Sequence, residues 1–96
     1  MPRLAIHSGA LVLSPEQSAA ALAAAQDVLD RAGVTALQAC EGVGALEAWD
    51  DRGFPADDAP SVEEERAAEA WAAAERAVAD ALRVPVHGDW YLYIQH

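Results

Sequence analysis

The chain has 96 residues, which is the length of one domain and too short for two hydrophobic cores. Alanine supplies 24 residues, whereas Leu, Ile, Val and Phe together supply 20, so a core requires helices that pack closely around the three tryptophans. Sixteen acidic residues against six arginines give a formal net charge of −10, which excludes unaided binding to nucleic acid or to an anionic membrane because phosphate contacts need cations. We therefore expect a single domain over residues 1–96.

The cysteine and hydropathy patterns indicate where the protein resides. Cys40 is the only cysteine, so no internal disulfide can form. The first residues do not show the basic start and long apolar run that are typical of a signal peptide. Charged residues interrupt every Ala-rich run before it reaches about 20 residues, the length of a membrane span. We expect a soluble, cytoplasmic protein.

Residues 3–13 are the first candidate for β-structure. Leu4 and Ile6 alternate with other residues, and a break at Ser8 and Gly9 precedes a second apolar run. The pattern predicts a strand or a short hairpin.

The first helix has clear signals at both ends. Ser14 is a suitable N-cap, Pro15 stands at the first helical position, and Gln17 can close a capping box. Gly33 can end the helix in the left-handed conformation, which predicts a helix over about 15–32. The stripe expected to face the core is Ala21, Leu22, Ala25, Val28, Leu29 and Ala32.

Residues 34–49 allow two interpretations. Thr35 can cap a helix over about 36–52, although Gly42 and Gly44 each cost about 1 kcal/mol relative to Ala in a helix interior. The inward face of this helix would hold Leu37, Cys40, Val43 or Gly44, and Ala48.

The alternative is a hairpin that turns at Glu41 and Gly42, with strands near 34–40 and 43–49, which would complete a ferredoxin-like βαββαβ order. We favour the helix because residues 45–49 are mostly good helix formers.

The third helix begins with a second capping box, formed by Ser61 and Glu64, and should run over about 62–83 before Pro85. Its expected core stripe is Ala67, Ala70, Trp71, Ala74, Val78, Ala81 and Leu82. Arg76 and Asp80 should lie on the solvent side with Glu65 and Glu69.

The chain closes with a half-buried strand in which Trp90, Leu92 and Ile94 alternate with Tyr91, Tyr93 and Gln95. Pairing of this strand with the N-terminal segment gives an α+β fold, with three helices and a small sheet made from the two ends of the chain.

The negative charge is concentrated in one third of the chain. Residues 1–40 hold three acids and two arginines, residues 41–75 hold eleven acids and two arginines, and residues 76–96 hold two of each. Such a band repels itself and costs stability, so it serves either solubility or a strongly basic partner.

The sequence contains no clear metal-binding or catalytic motif. Asp50, Asp51, Asp57 and Asp58 offer oxygen ligands, but no twelve-residue loop has the pattern of a calcium hand. His7, His87 and His96 lack the close spacing of zinc ligands.

The pair Gly42 and Gly44 lacks the third glycine of a dinucleotide loop, and Cys40 has no neighbouring His. We expect no metal, no cofactor and no enzymatic activity.

We expect instead a small acidic protein-binding module that occupies a basic surface of a partner protein, such as a nucleic-acid-binding protein or complex. The residues predicted to bind the partner are Glu47, Asp50, Asp51, Asp57, Asp58, Glu63, Glu64, Glu65 and Glu69. In charge, size and compactness the chain resembles the small acidic anti-restriction and anti-CRISPR proteins of phages, and the immunity proteins that cap nuclease toxins. That resemblance implies an inhibitor or decoy that imitates nucleic acid.

The competing hypothesis is a structural protein that forms a homodimer through the edge of its C-terminal strand, residues 90–94. In that case the acidic band only keeps the assembly soluble.

Overall fold

The computed structural model describes residues 3–52 and 59–95, with the backbone alone for residues 50–52. The elements in chain order are β1 (Arg3–Ser8), α1 (Pro15–Ala32), α2 (Ala36–Arg52), α3 (Val62–Leu82) and β2 (Trp90–Gln95). The three helices and the sheet made from the two ends confirm the α+β prediction. Residues 36–49 are helical, so the hairpin and the ferredoxin-like order are wrong.

The three helices begin in the same way. The Ser14 hydroxyl accepts a hydrogen bond from the Gln17 backbone N–H at 3.1 Å, and the Gln17 side chain accepts one from the Ser14 N–H at 2.9 Å. Ser61 and Glu64 make the same reciprocal pair at 3.1 and 3.0 Å. These two predicted capping boxes are confirmed.

Thr35 caps α2 through a third reciprocal pair. Its Oγ1 accepts from the Gln38 N–H at 3.0 Å, and Gln38 Oε1 accepts from the Thr35 N–H at 2.9 Å. Each capping pair satisfies two of the backbone groups that a helix start leaves without intrahelical partners. Local hydrogen bonding therefore fixes where each helix begins.

Helices α1 and α3 each end at a residue in the left-handed conformation. Gly33 has φ 74° and donates its N–H to the carbonyls of Leu29 and Asp30, as predicted for α1. α3 ends at Leu82, one residue earlier than expected, because Arg83 adopts φ 58°. This conformation costs a residue with a side chain about 1–2 kcal/mol, since its Cβ approaches the following carbonyl oxygen.

Helix α3 lies between α1 and α2 and packs against both. The buried core consists of Ala21, Ala25, Leu29, Ala39, Ala67, Ala68, Ala70, Trp71, Ala74, Val78, Ala79, Trp90 and Leu92. Within residues 3–52 and 59–95, none of the helices combines the length and the hydropathy that a transmembrane span requires.

Three positions of the predicted stripes are wrong. Ala32 and Ala81 are exposed, and Leu37 is 38% exposed while Ala39 is fully buried. The buried face of α2 is centred on its smallest residues, because α2 packs so closely on α3 that a larger side chain would not fit between them.

That close approach occurs at Gly42, which is buried. A Cβ built on Gly42 would lie 2.6 Å from the carbonyl oxygen of Glu64, 2.9 Å from Cβ of Ala67 and 3.0 Å from the backbone nitrogen of Ala68. Gly42 has a low helix propensity, which disfavours a helix here, but its lack of a side chain lets α2 contact the backbone of α3. Gly44 has nothing within 4 Å of its Cβ position, and nothing in the structure explains it.

Strands β1 and β2 form an antiparallel two-stranded sheet in which Arg3 opposes Gln95 and Ser8 opposes Trp90. The inner face of the sheet packs on the helices through Leu4, Ile6, Leu92 and Ile94, together with the buried Trp90. The Trp90 indole N–H donates to the Pro85 carbonyl at 2.9 Å. The alternation predicted for β2 is confirmed.

The second apolar run of the N-terminal segment does not form a strand. Residues 11–14 have no regular secondary structure, and Val12 is 90% exposed. A tight contact diverts the chain just before them, where Gly9 donates its N–H to the Asp89 carbonyl at 3.0 Å and Ala10 donates to Asp89 Oδ2 at 2.6 Å. A Cβ on Gly9 would lie 2.5 Å from Asp89 Oδ1, so a larger residue would require the Asp89 carboxylate to shift.

The two α2 glycines provide a matched test of the packing. Gly44→Ala should raise the free energy of unfolding by up to about 1 kcal/mol, the usual helix-propensity gain. Gly42→Ala should lower it by about 1–3 kcal/mol, because its Cβ would overpack the backbone of α3. Chemical denaturation of both variants checks this, and a stabilising Gly42→Ala would show that α2 and α3 are further apart than described.

Trp71 is 6% exposed among small alanines, which confirms its predicted place in the core. Trp71→Ala should cost about 3–5 kcal/mol, the usual range for emptying a buried aromatic site. Thermal unfolding followed by circular dichroism measures the loss, and an unchanged midpoint would contradict the assignment of the α3 core face.

Candidate functional site

Three carboxylates gather where α2 crosses the start of α3. Glu41 precedes Gly42 on α2, and Glu63 and Glu64 stand in the first turn of α3. The groove between them is completed by Gly33, Val34, Gln38, Gly42 and Ala67. The close crossing at Gly42 thus brings acids from two helices to the rim of one partly apolar groove, which we call the acidic groove.

Glu64 and Glu63 differ in solvent exposure and in hydrogen bonding. Glu64 Oε1 accepts the Ser61 N–H at 3.0 Å, so this side chain is part of the helix cap and is only half-exposed. Glu63 is exposed and has no such partner among the described residues. The positive end of the α3 dipole stabilises both negative charges, which offsets some of their mutual repulsion.

Two further acids lie on another side of the α2–α3 pair. Glu47 and Glu75 line a second groove, together with Val43, Leu46, Ala68, Trp71 and Ala72. Burial raises the pKa of Glu75 above its ordinary value of 4.5, and the charge of His87 offsets part of that rise. The ionised form of Glu75 is therefore less well solvated than that of an exposed carboxylate, whereas Glu47 is exposed.

The outer face of α3 is mixed in charge. Glu65, Glu69 and Asp80 are exposed there, and Arg66 and Arg76 are exposed among them. Arg66 and Arg76 also line a shallow depression together with Glu63 and Glu69. A basic partner would meet cations as well as acids on this face, so it is a weaker docking surface than the acidic groove.

The nine predicted partner-binding residues are therefore divided. Glu63 and Glu64 meet at the acidic groove, Glu65 and Glu69 lie on or near the outer face of α3, and Glu47 lines the second groove. Asp57 and Asp58 lie outside the described residues, as do the side chains of Asp50 and Asp51.

Asp50 and Asp51 belong to the last turn of α2.

Glu41 is the groove residue that the predicted site omitted. The signal that could have found it is its neighbour Gly42, because a glycine within a helical pattern often marks a close approach of another backbone. An acid beside such a glycine lies at the edge of a helix crossing.

The remaining residues that could bind a metal or act in catalysis do not cluster in the described part of the chain. Within residues 3–52 and 59–95, leaving aside the side chains of 50–52, no group of three His, Cys, Asp or Glu residues could hold a metal ion. Cys40 is half-buried and packs against the core. The His7 ring stacks on Tyr91 at a centroid distance of 4.8 Å, and His96 lies outside the described residues.

The raised pKa of Glu75 links stability to pH. A carboxyl whose pKa is higher in the folded state than in the unfolded state destabilises the fold once it ionises, so its cost is absent below about pH 4.5 and grows as the pH rises through the folded pKa. Glu75→Gln should therefore raise the thermal midpoint at pH 7, and the gain should vanish below about pH 4.5. Glu47→Gln, across the same groove but exposed, should raise it less, and a lower midpoint for Glu75→Gln at pH 7 would contradict the interpretation.

No family model, no curated protein and no solved structure matches this chain. We therefore infer its function from the residues that form its surface.

Proposed function

We propose that this chain is a non-enzymatic binding module whose acidic groove receives arginine or lysine side chains of a basic partner protein. The observation that carries the proposal is the meeting of Glu41, Glu63 and Glu64 around a groove whose lining also includes Val34 and Ala67. A long basic side chain can lay its methylene stem along such apolar surface while its charged head reaches the carboxylates.

The overall charge supports the same function. Opposite charges steer a basic partner toward the module and raise the rate of association, and eleven of the sixteen acids fall within residues 41–75. Asp57 and Asp58 belong to this segment in sequence and remain part of the predicted partner-binding set. Glu47 lines the second groove, so within the proposal it would contact a separate part of a large partner.

We further propose that the module is an inhibitor or decoy that occupies the nucleic-acid-binding surface of its partner, in the manner of anti-restriction, anti-CRISPR or immunity proteins. Surfaces that bind nucleic acid are rich in Lys and Arg because they neutralise phosphates. A module of net charge −10 competes for those residues without binding nucleic acid itself. We place its action in the cytoplasm, where its single cysteine would stay reduced.

A charge-matched pair of variants tests the groove. Glu41→Lys combined with Glu63→Lys should weaken binding to an oligo-arginine peptide by at least about tenfold, because two groove carboxylates become repulsive. Glu16→Lys combined with Asp27→Lys changes the net charge equally and places one reversal at the same position of a first helical turn. Asp27 loses only its exposed ion pair with Arg31, a contact of small energetic value.

Isothermal titration calorimetry at low and moderate salt provides the measurement. The wild-type interaction should weaken as salt rises, since screening acts over about 10 Å at 0.1 M. Pull-down from a cell lysate with both double variants then extends the comparison to natural partners. Equal affinity of the two double variants would reject the acidic groove as the binding site and leave the acids with a role in solubility.

A further inference from the structure

The outward edge of β1 presents backbone groups to solvent. Gly9 donates its N–H to the Asp89 carbonyl, and Gly9 opposes Asp89 when the register of β1 and β2 is continued by one residue. In an antiparallel ladder, bonded and non-bonded pairs alternate, so the odd-numbered residues of β1 bond to β2. The backbone N–H and C=O groups of Leu4, Ile6 and Ser8 consequently point away from β2.

These edge groups have no partner in the described part of the chain. No hydrogen bond from a turn, a loop or a side chain reaches the backbone of Leu4, Ile6 or Ser8 there. A groove borders this edge, and it is lined by β1, by Ser18 and Leu22 of α1, and by Tyr93 and Gln95 of β2. An extended strand placed in this groove would pair with β1 and lay its inward side chains over α1.

The edge also lacks the usual protection against pairing. Natural edge strands are blunted by lysine, proline, bulges or inward-pointing charges. β1 reads Arg-Leu-Ala-Ile-His-Ser, with one charged residue at its first position and a regular register along its length. Neither β1 nor β2 contains an acidic residue.

We propose that β1 pairs antiparallel with β1 of a second copy of this chain, which forms a continuous four-stranded sheet in the order β2-β1-β1-β2. A two-fold axis at Ile6 sets Ile6 opposite itself and Leu4 opposite Ser8 on both sides of the axis. Each of these bonded pairs exchanges two hydrogen bonds, so every outward group of the edge is satisfied.

The distribution of charge determines where two copies of the chain can meet. Two chains of net charge −10 repel each other, and the acid-free sheet is the surface on which they can meet with least repulsion. The same register brings Arg3 toward Asp89 of the partner subunit, an opposite charge two strands away. An unrelated strand would gain neither the self-complementary register nor this pairing.

The oligomeric state is the first test. Light scattering on the purified chain should give twice the chain mass of 10.1 kDa at sufficient concentration. Added salt should strengthen the dimer, because it screens the repulsion between copies. A basic-partner complex at the acidic groove should instead weaken with salt, so the two proposals can fail separately. A monomer mass at all concentrations and salts would overturn the dimer.

Cysteine pairs then identify the edge. In the proposed register, Ala5 faces His7 of the partner subunit in a non-bonded pair, where the Cβ atoms lie close enough for a disulfide. Ala5→Cys with His7→Cys, in a Cys40→Ala background, should give a covalent dimer under mild oxidation.

Tyr91→Cys with Tyr93→Cys is the matched control, because it reports pairing through the edge of β2, the strand of the competing sequence-based hypothesis. Cross-linking of the β2 pair and not of the β1 pair would overturn the proposal. Far-UV circular dichroism of each variant shows that the fold is retained.

Discussion

The close crossing of α2 and α3 at Gly42 is the constraint on which the rest of the structure depends. A chain in which alanine outnumbers the large aliphatic residues cannot fill space between widely separated helices, so the backbones themselves must approach. Gly42 allows this by leaving the Glu64 carbonyl and Ala67 room to pack directly on α2. α3 can then bury Trp71 and hold α1 on its other side.

The same crossing determines where the acids meet. Glu41 and Glu63 line the same groove because α2 packs closely on the first turn of α3, with only the glycine at position 42 between the two backbones. Packing therefore opposes electrostatics at this point, since like charges gather where the helices are closest. Capping bonds and the dipole of α3 offset part of the repulsion, and a positively charged side chain in the groove would offset more of it.

Local signals predicted most of the fold, and tertiary contacts account for what they missed. Ser14 and Ser61 correctly predicted where their helices begin, because a capping box is formed by residues three apart in sequence. The burial of Ala39 in place of Leu37 could not be read from hydrophobicity, because the close approach of α3 favours the smaller residue. The acids formed one band in sequence, but helix geometry spreads them over several faces and sets Arg66 among them. The tie between Gly9 and Asp89 joins residues too distant in sequence for any local pattern.

The pairing of Arg3 with Gln95 makes the sheet the most non-local part of the molecule. Pairing the two strands closes a loop that contains almost the whole chain. This costs more conformational entropy than bringing together α2 and α3, which are neighbours in sequence. Local contacts form faster than distant ones, so the helices should assemble first and the sheet should close onto them afterwards. Trp90 then joins the core in the final step, which couples completion of the core to the arrival of the last strand.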